Sequence, residues 1–261
     1  MNRVKDKVAI ITGAAGGLGS AIVERLIEEG ATVVATDISE EKLRETVDTS
    51  NPKILTLEHD VTDENSWIAV IEKTNDVYGR LDVLVNNAGI VIAGSVEETS
   101  LDDFRKIQSI HSEGTFLGCK HALPAMRNSA GGSGSIINMS SVTAIGGFPY
   151  VLAYSAAKGA IRSMTKSIAA GTSASGEPIR CNSIHPGRIE TDMVRQCREE
   201  RNALEESGEV DEGNPSGHPD DIAYLVVYLA SDESVWMNGS ELIVDNGATI
   251  TDGSVQLRVE R

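Results

Sequence analysis

Three side chains in the second half of the chain have the types needed for acid–base work on an alcohol or carbonyl oxygen: Ser141, Tyr154 and Lys158. Tyr154 and Lys158 are four residues apart in a helical pattern, so they share a face. A free phenol has a pKa of about 10 and is a poor base at neutral pH. An ammonium one turn away favours the phenolate and is expected to lower that value. Such a phenol can exchange a proton with a substrate oxygen. Ser141 ends a strand pattern thirteen residues earlier, where its hydroxyl can donate to the same oxygen. A Tyr-x-x-x-Lys pair by itself is a common surface contact, so its meaning depends on what the rest of the chain builds around it.

The first apolar run, residues 8–11, is followed by Thr12-Gly13-Ala14-Ala15-Gly16-Gly17-Leu18-Gly19 and then a helical pattern. Gly13, Gly17 and Gly19 permit a tight turn and close approach to a pyrophosphate. The helix opening at Leu18 supplies N–H donors and a partial positive charge. The second strand pattern ends at Asp37, followed by Ile38. A carboxylate there accepts hydrogen bonds from ribose hydroxyls and repels a 2′-phosphate. No Lys or Arg stands in the glycine turn or at Thr36, Ile38 or Ser39, so NAD(H) is expected over NADP(H). Asp60 and Val61 follow the third strand, where the adenine edge is expected. Asn87, Ala88 and Gly89 follow the fourth, small enough to let backbone approach the cofactor.

These groups need a frame. Strand patterns cover 8–11, 32–37, 54–58, 83–86, 135–139, 179–184 and 241–244, mostly β-branched and almost continuously apolar, as in strands covered on both faces. Helical patterns lie between them: 18–29, 40–47 behind a Ser39 cap, 63–77 behind Thr62, a long helix from a Ser100/Asp103 capping box to Met126, 152–170, and 220–229 after Pro219. The alternation predicts one doubly wound parallel α/β domain of about seven strands over 1–261. The stretch 188–217 is charged and the least regular, and reads as a substrate lid or as a surface loop.

With 261 residues, 40% apolar and 24% charged, the composition is that of an ordinary globular protein. The formal net charge of −16 opposes nucleic acid, anionic membranes and acidic carrier proteins as partners. Cys119, Cys181 and Cys197 are far apart and odd in number, which suggests a reduced, cytoplasmic protein without a metal cluster. No apolar run approaches a membrane span, and 8–11 is too short for a signal-peptide core.

Together TGAAGGLG (Thr12 to Gly19), NNAG (Asn86 to Gly89), the Ser141/Tyr154/Lys158 group and the His185-Pro186-Gly187 turn resemble the short-chain dehydrogenase/reductase family, over Lys7 to about Gly247. The resemblance implies that Tyr154 is the acid/base, that Lys158 holds the nicotinamide ribose and lowers the Tyr154 pKa, and that Ser141 orients the substrate oxygen. It also implies that Pro186, Gly187, Ile189 and Thr191 border the nicotinamide and its phosphates, and that the chain forms a homotetramer. One departure stands out. The family's N-x-x-G-x-F segment is His111-Ser112-Glu113-Gly114-Thr115-Phe116 here. His111 takes the place of the asparagine that helps hold a water in the lysine's proton relay. An imidazole can also hold a water, and its titration would add pH dependence; the alternative is a packed helix histidine with the relay rerouted.

Position in the pattern puts Ile92, Ala93, Thr143, Phe148, Tyr150, Met193, Val194 and Cys197 around the substrate. Most are apolar, which suggests an uncharged, hydrophobic secondary alcohol or ketone. Within the family, SIINMSSVTAIGG, YSAAKGAI and GSELIVDNG look most like bacterial NAD-dependent hydroxysteroid and secondary-alcohol dehydrogenases. A 3-oxoacyl carrier-protein reductase is a second possibility, suited by IETDM (Ile189 to Met193) but opposed by Asp37 and the charge. A non-catalytic NAD-binding sensor is a third, kept open by His111 alone.

Overall fold

The computed structural model describes residues 1–204 and 216–251. In order they form β1 (Val8–Thr12), α1 (Gly17–Glu28), β2 (Thr32–Asp37), α2 (Glu40–Thr46), β3 (Ile54–Glu58), α3 (Glu64–Tyr78), β4 (Val83–Asn86), α4 (Leu101–Gln108), a π-helical turn (Ser109–Glu113), α5 (Gly114–Asn128), β5 (Gly134–Met139), α6 (Leu152–Ala174), β6 (Ile179–Pro186), α7 (Asp192–Leu204), α8 (Pro219–Ala230) and β7 (Glu241–Val244). The strands make one parallel sheet in the order β3-β2-β1-β4-β5-β6-β7. The expected α/β doubly wound architecture is therefore present.

Alternate residues of β1 feed two cores. Ala9 and Ile11 pack with Ile22 and Leu26 of α1 and Ile222 and Val226 of α8. Ile10 packs on the other face with Trp67 of α3 and Cys119 and Met126 of α5. Chain order reverses between β1 and β4, and in open α/β sheets the crevice beyond the carboxyl ends at such a point is where ligands bind.

Several local expectations change. Asp63, not Thr62, caps α3, its carboxylate accepting the Asn65 N–H, while Thr62 is drawn onto the Asp60 carboxylate. The helix opened by Ser100 is not continuous to Met126, because the turn at 109–113 is wound wider. Part of the stretch predicted to be irregular is helix α7; residues 205–215 of that candidate lid lie outside the described residues. Among the described residues no helix is long and apolar enough to cross a membrane.

Candidate active site

The crevice is assembled from loops that grip one another at the ends of β1 and β4. The Thr12 hydroxyl accepts the N–H groups of Asn87 and Ala88, both at 3.0 Å. The Asn87 amide reaches back to the carbonyls of Thr12 and Gly13 at 2.9 and 3.2 Å. Gly13 has φ +64°, and a Cβ there would sit 2.8 Å from the Ala88 Cα. A Cβ on Gly19 would fall on the Gly13 carbonyl oxygen. The turn therefore requires glycine at both positions, for conformation at the first and for contact at both.

Other predicted cofactor positions gather here. The Asp37 carboxylate, at the end of β2, accepts the Ala15 N–H of the glycine turn at 3.1 Å and the Ser39 N–H at 3.3 Å. Ile38 beside it is exposed. Val61 lies against Gly114, and Asp60 accepts from Thr62. Across the crevice, Gly187 donates its N–H to the Val244 carbonyl at 2.9 Å. Ile189 is buried, and the Thr191 side chain lies 3.2 Å from where a Gly17 Cβ would be. The loop after β6 thus closes over the start of α1 at Gly17-Leu18. Glycines that no side chain could replace, helix N–H groups and one carboxylate fit a dinucleotide's pyrophosphate and ribose.

The reactive group sits at the adjoining ends of β5 and α6. Ser141 is buried in extended conformation, its hydroxyl oxygen accepting the Thr143 N–H at 3.1 Å. The Lys158 ammonium lies 5.3 Å from the centre of the Tyr154 ring and donates to the Met139 carbonyl at 2.6 Å. Tyr154 is only partly buried by area, as a reactive group in a cleft must be. The mass of protein around it nevertheless pushes its phenol up to about 12. A hydrogen bond from Ser141 pulls the other way, and Cys197 of α7 adds a further push upward. Burial pushes Lys158 down to about 7. The expectation that Lys158 lowers the Tyr154 pKa is thus reversed in direction: removing both groups from water disfavours both charges more than their mutual attraction favours them.

His111 fills a space left by Gly89, where a Cβ would overlap the imidazole Cε1. Its ring stands edge-on to Tyr154 with centroids 5.3 Å apart. Its Nε2 contacts the Ile90 backbone, and Nδ1 has no hydrogen-bond partner among the described residues. Burial, reinforced by Lys158, pushes the imidazole down to about 3. The expected titration near neutral pH is therefore absent, because a fully enclosed ring cannot take a proton cheaply.

Among the predicted substrate residues, Ile92 packs with Ile107, Ala153, Ala157 and Tyr154 in a small cluster. The Gly94 N–H bonds the Tyr150 carbonyl at 2.8 Å, which brings Ala93 and Tyr150 to one wall. Phe148, Tyr150 and Met193 stand exposed at the rim, and Val194 donates its N–H to the Thr191 hydroxyl. Sequence reasoning missed Thr12 as the brace between two cofactor loops and Met139 as the acceptor for Lys158. A threonine opening the glycine turn was a visible signal for the first; a backbone acceptor leaves none.

Fold and site define a dinucleotide-binding α/β protein with a Ser–Tyr–Lys group at its crevice. A family model described as enoyl-(acyl carrier protein) reductase matches residues 13–249. The chain is 39% identical over 252 residues to an NADP-dependent (R)-specific alcohol dehydrogenase of Lentilactobacillus kefiri, covering 95% of this chain and 98% of the relative. It is 38% identical to a 3-beta-hydroxysteroid dehydrogenase of Comamonas testosteroni (94% and 96% covered) and 38% identical to a trans-4-hydroxycyclohexanecarboxylate dehydrogenase of Sinomonas cyclohexanicum (95% and 95%). The chain belongs to the short-chain dehydrogenase/reductase family, oxidoreductases that use a nicotinamide cofactor.

Proposed function

We propose that this protein interconverts a hydrophobic secondary alcohol, whether steroid, cyclic or aliphatic, and its ketone, with NAD(H) as cofactor and Tyr154 as the acid/base. The observation that carries the proposal is the meeting of Ser141, Tyr154 and Lys158 beside an apolar wall formed by Ile92 and the Tyr150 segment. Gly13, Gly17, Gly19, Asp37, Asn87 and Thr191 hold the cofactor, which when bound supplies or takes up the hydride at the carbinol carbon.

In ketone reduction, the Tyr154 phenol gives its proton to the carbonyl oxygen while the Ser141 hydroxyl donates a hydrogen bond to the same atom. A phenol held up at about 12 arrives with that proton in place. In alcohol oxidation the phenol must first lose it, so oxidation gains from alkaline pH. His111 acts by fixing the Ile90 backbone beneath this site, since its ring is neutral and bonded to that residue.

Asp37 supports NAD although the Lentilactobacillus relative is named for NADP: its carboxylate is pinned by the Ala15 and Ser39 N–H groups at the end of β2, where a 2′-phosphate would meet like charge. The same proposal includes a homotetramer, with Phe116 of α5, 52% exposed, on a contact face. A purified-protein screen of steroid, terpenoid and aliphatic secondary alcohols with NAD and with NADP tests the function. Sedimentation tests the assembly. Turnover confined to acetoacetyl thioesters with NADPH, or cofactor binding without turnover, would reject it.

A further inference from the structure

One buried imidazole next to the reactive group has no part in the chemistry above. His185 lies in β6 immediately before the Pro186-Gly187 turn and is fully buried. Its Nδ1 is 3.1 Å from the Ser141 carbonyl oxygen, and its Nε2 is 2.9 Å from the Ser183 hydroxyl. A carbonyl oxygen only accepts, so Nδ1 carries the ring proton. Nε2 is then an acceptor, and the Ser183 hydroxyl donates to it in preference to the Ser240 carbonyl at 3.5 Å. The direction of every hydrogen bond in the row is thereby determined.

The position of this row matters. Backbone pairing between β5 and β6 runs to Met139 and Ile184, and its last rung is the Ser140 N–H to the Ile184 carbonyl at 2.8 Å. The next link between the strands is the His185 side chain, which replaces a backbone rung at the residue whose hydroxyl faces the chemistry. The Ser141 hydroxyl oxygen is occupied on one side by the Thr143 N–H. Its own proton is left for Tyr154 and the substrate, provided the backbone holds still.

We propose that His185 is a positioning residue, a neutral imidazole that suspends the Ser141 carbonyl from β6 and so keeps the Ser141 hydroxyl aimed at the reacting oxygen. Three charged groups act on the ring: Glu241 favours its protonation, while Arg162 and Lys158 oppose it. Burial is the largest influence and lowers its pKa. The ring therefore works as a fixed donor across the pH range of the enzyme. The proposal rests on the alcohol dehydrogenase function for its catalytic consequence, and on geometry alone for the bond.

Two readouts keep those apart. The first needs no substrate. In protein labelled with 15N-histidine and 13C-carbonyl serine, His185 should show the Nδ1–H tautomer without titrating between pH 6 and 9. The Ser141 carbonyl resonance should hold in His185→Asn, whose amide places a donor near the Nδ1 position, and move upfield in His185→Gln, whose longer amide reaches the Nε2 position instead. An Nε2–H tautomer, or a titrating ring, overturns the proposal even if no variant folds. The second readout is turnover. His185→Asn should stay within about threefold of the wild-type kcat, and His185→Gln and His185→Ala should lose at least about tenfold, with KM and the cofactor dissociation constant within about twofold. Equal rescue by Asn and Gln, full activity in the alanine variant, or a loss confined to KM overturns it. Absence of alcohol turnover in the wild-type protein would sink the function but leave the carbonyl resonance to decide the role of His185.

Discussion

The Nε2 of His111 lies 3.1 Å from the Ile90 amide nitrogen and 2.8 Å from the Ile90 carbonyl oxygen. A ring nitrogen donates or accepts but does not do both, so one of the two Ile90 groups lacks its bond to this ring in either tautomer. A glutamine amide has the reach of the ring and offers both functions. His111→Gln is expected to match or exceed the wild-type stability, by up to about 1 kcal/mol, whereas His111→Ala loses about 2 kcal/mol or more through the cavity and the stranded backbone groups. Urea denaturation measures both. In the alanine variant no ionisation should vanish from the pH–rate profile between pH 6 and 9, since the ring is pushed down to about 3.

The opposed shifts of Tyr154 and Lys158, up to about 12 and down to about 7, give the two reaction directions different pH responses. Alcohol oxidation should rise from pH 7 towards 10, by at most about tenfold per unit, while ketone reduction stays flat to about pH 9. Tyr154→Phe should lower both rates by at least about a thousandfold and leave cofactor affinity within about threefold. Steady-state profiles in both directions, with fluorescence titration of the dinucleotide, check this. A phenylalanine variant with near-normal turnover would contradict the assignment.

Asp37 is expected to set cofactor choice. The wild-type kcat/KM with NAD should exceed that with NADP by about a hundredfold or more, because a phosphate beside the carboxylate costs several kcal/mol. Asp37→Ser should reduce kcat/KM with NAD by at least about tenfold, through loss of charge-assisted bonds to the ribose, and narrow the ratio. Parallel kinetics with the two dinucleotides decide it, and an unchanged ratio would count against the role.

Acid should weaken the fold early. Burial pushes His59 down to about 4 and His111 down to about 3. Above pH 6.5 both rings are neutral folded or unfolded, and neither affects stability. As pH falls below 6.5 the unfolded chain takes up protons that the native rings refuse, so stability drops, by at most about 1.4 kcal/mol per pH unit for each group, until the folded values are reached. Melting temperatures should therefore decline already between pH 6.5 and 5, above the carboxylate range. Replacing His59 with Gln should flatten part of that slope.

Much of the frame could be read from residue types, because strands covered on both faces are written as continuous apolar runs. β2, β3, β4 and β7 fall where those runs lie. β6 extends to Pro186 because β7 pairs with it through Val244, a tertiary fact that the apolar run does not carry. The α7 helix hides in a highly charged segment with little apolar periodicity. Residue types bring Ser141, Tyr154 and Lys158 together, but the direction of their pKa shifts depends on how much protein surrounds them, which spacing does not encode. The His185 bond to Ser141 joins residues 44 apart in the chain and belongs to the same category.

The wide turn at 109–113 has a consequence for how this part of the molecule can change. It absorbs one residue more than an ordinary helical turn, so deleting a single residue there would rewind the helix while rotating everything after it by about 100°. Cys119 and Met126 would swing off the sheet, and solvent-facing Phe116 would be carried round with them. The odd turn acts as a phase-setter between two helices that answer to different neighbours, and the spacing from Ser109 to Gly114 should tolerate substitution far better than any change in length.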